Sequence, residues 1–239
     1  MKISLILPVY NPSAGWADIV LAKCAELIAL YPDMDFEVII VNDGSTNSDS
    51  IKEKTKLQNS VIRLIEYTPN KGKGEALRTG VRVSTGDLVI YTDIDFPYTI
   101  ESISKLIGIL SNKEADVVVG IKDASYYAYV PPLRKFISRL FRSFIRLLFR
   151  IPTDDTQCGL KGFDQKGKDI FVKTTIDRYL FDLEFVFLAS RDKSIIIKTQ
   201  EIKLREDVQF RKMNFGIIKN ESWNFMKILI QSYIQASNP

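Results

Sequence analysis

The sequence predicts an α/β fold in one domain, a mainly parallel sheet flanked by helices. Three observations predict it. Apolar runs of strand length alternate with helix-length segments over roughly the first 120 residues, the pattern of strand–helix–strand units whose helices cover both faces of a sheet. Polar, turn-forming clusters follow four of these runs. In a parallel sheet they share one edge, outside the strands' carboxyl ends, where ligands of such folds bind. At 239 residues and 46% apolar content the chain can bury a substantial core, and no internal repeat or low-complexity linker divides it.

The elements follow in order. Residues 3–9 read as a strand ending in Pro8-Val-Tyr-Asn-Pro12. Residues 17–30 form an amphipathic helix with Ile19, Ala22, Cys24, Leu27 and Leu30 among its apolar positions. Residues 36–41 are the second strand, stopped by the turn-rich Asn42-Asp-Gly-Ser-Thr-Asn47. A polar helix over 49–57 and a third strand over 61–67 come next. Asn70-Lys-Gly-Lys-Gly74 then leads into a helix starting near Glu75. The fourth strand, Leu88-Val-Ile-Tyr-Thr, runs into Asp93-Ile-Asp95-Phe-Pro97. Residues two apart in an extended chain point to one side, so Asp93 and Asp95 are expected to leave the strand together. Clustered carboxylates repel unless a proton or cation joins them, and hard oxygen ligands suit Mg²⁺ or Mn²⁺. The plainer reading is a turn, where Asp is common. A helix over 100–110 and a fifth strand over 116–120 complete this half, with right-handed crossovers expected.

Beyond residue 120 the pattern changes. Residues 123–132 are loop-like and hold Tyr126, Tyr127 and Tyr129. In the segment 133–150, Lys135, Arg139, Arg142, Arg146 and Arg150 fall on one helical stripe with Arg134 beside it. Phe136, Leu140, Phe144, Leu147 and Leu148 cover the other side, and no acidic residue occurs. This is the pattern of a helix lying in a membrane interface; the alternative is a core helix with a solvated basic side. Nucleic acid could use the same charge, but no recognised nucleic-acid motif accompanies it. Thr153-Asp-Asp-Thr-Gln-Cys-Gly159 and Phe163 follow. A helix over 179–190 with Asp182 and Glu184 in its first turns, a last strand within 194–204, a charged loop over 205–212 and an amphipathic helix over 221–234 complete the chain.

Composition excludes several chemistries. With no histidine, neither a Ser-His-Asp nor a Cys-His mechanism nor a histidine-ligated metal is available. A base must be a carboxylate, Lys or Tyr, or be unnecessary. Two cysteines, Cys24 and Cys158, suggest neither a disulfide framework nor a zinc site and fit a reducing compartment. Cys158 reads as a small buried residue rather than a nucleophile. The start of the chain lacks a signal peptide's long apolar core, and no apolar run is long enough for a membrane-spanning helix. The net charge is +4, with the basic excess concentrated at 133–150.

The glycine loop half matches a dinucleotide fingerprint, because it follows a strand and opens a helix. It departs at Leu77, where a third glycine is expected, and in following the third strand rather than the first; nor does it close as a Walker A loop. Its glycines allow a close backbone approach, and Lys71 or Lys73 could meet a phosphate or nucleoside.

Pro8-Val-Tyr-Asn, Val41-Asn-Asp-Gly-Ser-Thr46, Asn70-Lys-Gly-Lys-Gly-Glu-Ala76 with Gly80, and Gly86-Asp-Leu through Asp93-Ile-Asp95 together resemble family 2 glycosyltransferases, in order and spacing. Asp155-Thr-Gln-Cys-Gly-Leu-Lys161 and Phe163 resemble the branch that loads sugars onto polyprenyl phosphates, such as dolichyl-phosphate glucosyl- and mannosyltransferases. The resemblance implies a single A-type glycosyltransferase domain over 1–239, Rossmann-like, with a nucleotide-sugar-binding half (1–122) and an acceptor- and membrane-facing half (123–239) carrying the amphipathic helix. It implies a UDP- or GDP-sugar donor, with Pro8, Tyr10, Asn11 and Asp43 at the nucleoside and Lys71 or Lys73 near it. Asp93 and Asp95 would contact ribose and carry Mg²⁺ or Mn²⁺ on the diphosphate, and the sugar would be transferred with inversion. The acceptor would be a polyprenyl phosphate, already ionised and needing no strong base, bound by Arg134 and Arg139 with Arg205 and Lys212 from the C-terminal loop. Asp95 and Asp155 are the catalytic candidates, Asp155 orienting the site or acting as base toward a hydroxyl. A cytoplasmic protein, peripheral on an anionic membrane's inner face, is the matching location.

Three positions depart from the family pattern. Asn11 stands where relatives often have an acidic residue, Asn42 where many have the first Asp of a pair, and Pro97 where some mannosyltransferases place a metal-ligating Gln. Competing readings are a soluble glycosyltransferase with a sugar-hydroxyl acceptor, an inactive nucleotide-sugar sensor or membrane adaptor, and, more distantly, a Rossmann dehydrogenase. The motifs leave the sugar, the donor base and the oligomeric state open.

Overall fold

The computed structural model describes residues 1–57, 60–122, 145, 148–149, 151, 153, 155–205, 224–226 and 228–230. Its strands are β1 (Lys2–Val9), β2 (Asp35–Asp43), β3 (Ile62–Tyr67), β4 (Leu88–Tyr91), β5 (Val117–Lys122), β6 (Lys161–Phe163) and β7 (Ile197–Ile202). The helices are α1 (Trp16–Ala29), α2 (Ser48–Glu53), α3 (Lys73–Val83), α4 (Ile100–Ser111), α5 (Gln165–Phe171) and α6 (Phe181–Arg191). The strands form one sheet in the order β3-β2-β1-β4-β6-β5-β7. Every pairing is parallel except those of β6, which runs antiparallel between β4 and β5.

Strand interiors are apolar on both faces because both are covered. Ile3, Leu5, Leu7 and Val9 of β1 face a core shared with Val20 and Leu27 of α1 and Ile103, Leu106 and Leu110 of α4. Ile6, with Ile39 and Val41 of β2, faces a second core with Leu77 and Val81 of α3. This two-sided burial is why the strands read as continuous rather than alternating runs. The second core is aromatic around Phe163, which stacks on Phe171 with ring centroids 5.3 Å apart, and Phe171 meets Phe185 edge-on at 4.9 Å.

The structure revises several sequence expectations. The segment 49–57 is a short α2 followed by a 3₁₀ turn, Lys54–Leu57. The buried face of α1 is Trp16, Ala17, Val20, Cys24 and Leu27, while Ala22 and Leu30 are exposed. The last strand narrows to six residues. Strand β6 and helix α5 were not expected: three residues, Lys-Gly-Phe, carry no strand periodicity, and β6 exists because both its neighbours pair with it. Most of the basic segment, including Arg134 and Arg139, lies outside the described residues. Its described positions Ile145 and Phe149 are buried in the second core, where the Phe149 ring packs on Phe187 at 5.5 Å and Phe225 at 5.7 Å. Leu148 is exposed. At these positions the apolar side docks on protein, in a phase different from the one the Phe/Leu pattern suggested.

Candidate active site

The strand order locates the site. The chain winds β1-β2-β3 in one direction and then returns to place β4 on the other side of β1. In open sheets of this kind ligands bind at the reversal of winding, outside the carboxyl ends of the flanking strands, here β1 and β4. Tyr10 follows β1 there, half-exposed, and the Asp93–Asp95 stretch follows β4.

The two aspartates do not leave as an extended strand. Strand β4 ends at Tyr91, and the Phe96 amide donates to the Asp93 carbonyl at 3.0 Å, closing a turn with Phe96 at φ +46°. Asp95 is exposed at the turn, and Asp93 is half-buried with its Oδ1 2.5 Å from Lys73 Nζ. Burial lowers the affinity of the Lys73 ammonium for its proton, but Asp93, Asp182 and Asp95 overcome it and hold the pKa above the ordinary lysine value. On its other oxygen, Asp93 faces Gly159: a β-carbon there would lie 2.7 Å from Asp93 Oδ2. Glycine therefore leaves room at that carboxylate.

Asp43, at the end of β2, is buried and turned inward. Its carboxylate accepts the Lys71 amide at 2.7 Å, the Gly72 amide at 2.9 Å and Asn70 Nδ2 at 2.6 Å. Amides that a dinucleotide fingerprint would turn to a phosphate thus wrap a side chain of the protein. The glycines make a close approach, but to backbone: a β-carbon on Gly72 or Gly74 would sit 2.4 Å from the carbonyl oxygen of Asp177 or Ile176. The Gly74 amide donates to that Asp177 oxygen at 2.7 Å. Lys71 is exposed, its ammonium 5.0 Å from the Tyr67 ring centroid. Asn11, at φ +44°, ties the β1 loop to the β2 loop: its Oδ1 accepts the Thr46 amide at 2.8 Å, and its own amide donates to Ser45 Oγ at 2.9 Å. Pro8 is buried within β1 opposite Val41.

The antiparallel β6 brings the 155–160 segment to the same place. Tyr91 and Lys161 are cross-strand partners. The Gly159 amide donates to Tyr98 Oη at 3.1 Å. Asp155 is buried, accepting the Lys122 amide at 3.2 Å at the end of β5, with Lys122 Nζ 3.8 Å away. Arg205 also arrives at the turn: its amide donates to the Pro97 carbonyl at 2.9 Å. Of the acceptor candidates, Arg134, Arg139 and Lys212 lie outside the described residues.

Beneath this surface lies a polar layer that motif reading missed. Lys161 is fully buried, its ammonium 2.6 Å from the Cys158 carbonyl and 2.5 Å from Asp182 Oδ1, which also accepts Tyr91 Oη at 2.5 Å. Burial, and then the Asp182 charge, push the Tyr91 phenol well above its ordinary pKa, so it stays a donor. Glu184, also fully buried, accepts the Thr175 and Ile176 amides, both at 2.8 Å. Arg78 grips the same strap from α3, donating to the Ile176 carbonyl at 2.8 Å and pairing with Asp177. The available signal was acids set within Phe181-Asp-Leu-Glu-Phe-Val-Phe187, since charges in an apolar run are buried only when paired.

Hard oxygens at Asp93 and Asp95, with the space kept by Gly159, fit a divalent ion whose shell is completed by a bound diphosphate. Among the described residues no group of three acidic, Cys or His side chains could hold a metal by itself, and no helix is long and apolar enough to cross a membrane.

Comparison with known proteins agrees with this fold. The family model for glycosyl transferase family 2 matches residues 4–171. A dolichyl-phosphate beta-glucosyltransferase of Trichomonas vaginalis is 32% identical over 199 residues, 78% of this chain and 59% of that protein. One from Saccharomyces cerevisiae is 26% identical over 254 residues, 97% of this chain and 75% of that protein. The chain spans less than two thirds of the length of several such relatives. Among solved structures, glucosyl-3-phosphoglycerate synthase of Mycobacterium tuberculosis, crystallised with Mn²⁺, UDP and phosphoglyceric acid, superposes with a TM-score of 0.69 at 16% identity, over 97% of this chain and 78% of that one. The likeness carries the A-type glycosyltransferase fold. With the family model covering most of its length, the chain belongs to glycosyltransferase family 2 and resembles its polyprenyl-phosphate branch.

Proposed function

We propose that this protein is a metal-dependent, inverting glycosyltransferase that moves a sugar from a nucleoside diphosphate donor to a polyprenyl phosphate at a membrane surface. The observation that carries the reading is convergence at one sheet edge: the Asp93–Phe96 turn, Lys73, the Asp155–Gly159 segment and Arg205 meet where β1 and β4 diverge. Tyr10, exposed beside it, offers a ring to the donor base. The relatives named for dolichyl phosphate support the acceptor class, and the UDP in the structural neighbour makes UDP-glucose the first donor to test.

A Mg²⁺ or Mn²⁺ held by Asp93 and Asp95 would offset the charge developing on the departing nucleoside diphosphate. An oxygen of the acceptor phosphate forms the new bond to the anomeric carbon as the bond to the diphosphate oxygen breaks, from the opposite face. The phosphate is ionised, so no proton has to be removed and the absence of histidine is no handicap. Arg205, with cations of the 133–150 segment and Lys212, orients the phosphate. Asp155, tethered to the Lys122 amide, positions the loop around Cys158 and Gly159.

The test is transfer from UDP-glucose to a short polyprenyl phosphate. Asp95→Asn is expected to lower turnover by about 10²-fold or more with an unchanged melting temperature. Wild-type-like rates in that variant, or under chelation, would rule out the metal role. A second reading, a sugar-hydroxyl acceptor with Asp155 as base, draws support from Ile145 and Phe149, whose burial uses part of the helix's apolar side inside the protein. Flotation with anionic liposomes separates the two: binding favours the lipid acceptor, and absence of binding favours the hydroxyl.

A further inference from the structure

The carboxylate that the proposed function gives to a divalent ion already holds a cation of the chain's own. Lys73 Nζ lies 2.5 Å from Asp93 Oδ1, and the two side chains are 30% and 39% exposed. Lys73 is the first residue of α3, directly after Gly72, so its long stem swings from a fixed base. It also feels Asp95 at the turn and the buried Asp182 on its inner side. Asp182 is already neutralised by Lys161 and bonded to Tyr91. The ammonium of Lys73 is therefore the member of this layer that can move without uncovering a buried charge.

A divalent ion binds carboxylate oxygen at about 2.0–2.2 Å, and an ammonium on the same oxygen would be repelled by it. Asp93 with Lys73 and Asp182 with Lys161 each form a neutral pair. A divalent ion on Asp93 adds two positive charges, and a diphosphate carrying two negative charges offsets them. Resting on the metal reading above, we propose that Lys73 is a displaceable counter-ion: it occupies Asp93 while the donor is absent, yields Asp93 to the divalent ion, and passes to the donor's diphosphate. Metal and nucleotide then bind cooperatively, because neither alone both evicts Lys73 and gives it a new partner.

The experiment is calorimetric titration of the full chain with MnCl₂, without and with UDP, and with GDP in parallel. Wild type is expected to bind Mn²⁺ alone weakly and to gain affinity when the nucleotide is present. Lys73→Met is expected to bind Mn²⁺ alone on the order of tenfold more tightly and to lose the coupling to nucleotide. Lys73→Arg, which keeps the charge, should retain the weak Mn²⁺ binding, and Lys73→Met/Asp93→Asn should bind none. If Lys73→Met folds and binds Mn²⁺ no more tightly than wild type, while Asp93→Asn abolishes binding, Lys73 is a static partner and the inference fails with the metal site intact. If wild type binds no Mn²⁺ even with UDP or GDP, the metal reading fails and the inference goes with it.

Discussion

The two halves of the sheet handle polar residues in opposite ways. In β3-β2-β1-β4 the strand interiors are largely apolar and polar groups stand at or just after the strand ends: Tyr10 exposed, Asp93 half-buried and Asp43 turned inward. In β6-β5-β7 and the helices beside them the charges are inside: Lys161 within β6, Asp182 and Glu184 within α6, Asp116 ahead of β5. Under the proposed function, the first half presents Tyr10 and Asp93 to the donor. The second holds the first half's loops in place, through Glu184 on the 175–176 amides, the Ile176 and Asp177 carbonyls against Gly74 and Gly72, and Lys161 on the Cys158 carbonyl next to Gly159. Under the proposed function, one half contacts the substrate and the other keeps that contact in register.

The sharpest way to break this contrast is inside the second half. Lys161→Met removes the ammonium that pairs with Asp182 and leaves a buried carboxylate that still accepts from Tyr91 Oη. Breaking a buried pair on one side costs about 3–5 kcal/mol, so the melting midpoint in urea should fall steeply. The double variant Lys161→Met/Asp182→Leu should recover part of the loss, since no uncompensated charge remains. At the ligand edge, Tyr10→Ala should change stability by no more than about 0.5 kcal/mol, because Tyr10 is 50% exposed. Equal losses at both sites would erase the distinction.

The same contrast decides what the sequence made legible. Strands β1 to β4 could be read because two-sided burial forces continuous apolar runs, and their following turns are marked by Asn, Asp and Gly. The edge where such folds bind ligands follows from parallel alternation alone. Other features depend on partners distant in sequence. Asp43 looks like a turn acid, yet its oxygens close on amides 28 and 29 residues later. Gly72 and Gly74 look like phosphate-loop glycines, yet the atoms they make room for belong to Ile176 and Asp177. Strand β6 is three residues long and owes its existence to neighbours on both sides. Local chemistry names such residues; only the fold names their partners.

A smaller effect tests whether the glycine loop is held by the strap. Gly74→Ala would place a β-carbon 2.4 Å from the Ile176 oxygen and 2.9 Å from Phe181 Cβ. Overpacking of this kind costs about 1–3 kcal/mol, and the displaced loop should also weaken UDP binding. Gly108→Ala in α4 is the reference, with nothing within 4 Å of the added carbon. Alanine there should stabilise by about 0.5–1 kcal/mol. A neutral Gly74→Ala would mean that loop and strap move apart without cost.

A pH-dependent effect belongs to Asp116. Its Oδ2 accepts the Ile196 amide at 2.6 Å and its Oδ1 meets Lys166 Nζ at 2.8 Å, tying β5 to the approach of β7 and to α5. Burial works to raise the carboxyl pKa, but Lys166 and the Ile196 amide outweigh it, and the folded value lies below the ordinary one. A carboxyl depressed in the folded state stabilises above its unfolded pKa, about 3.9, and loses that contribution as pH falls through the folded value. Asp116→Asn keeps an acceptor for Ile196 but loses the charge, and Lys166 is largely exposed, so solvent screens the ion pair. The expected cost is about 1 kcal/mol at pH 7. Urea denaturation of wild type and Asp116→Asn between pH 7 and pH 2.5 should show the two midpoints converging below about pH 4. A gap that stays constant through that range would mean that shape at the head of β5, and not the carboxylate's charge, secures the second half of the sheet.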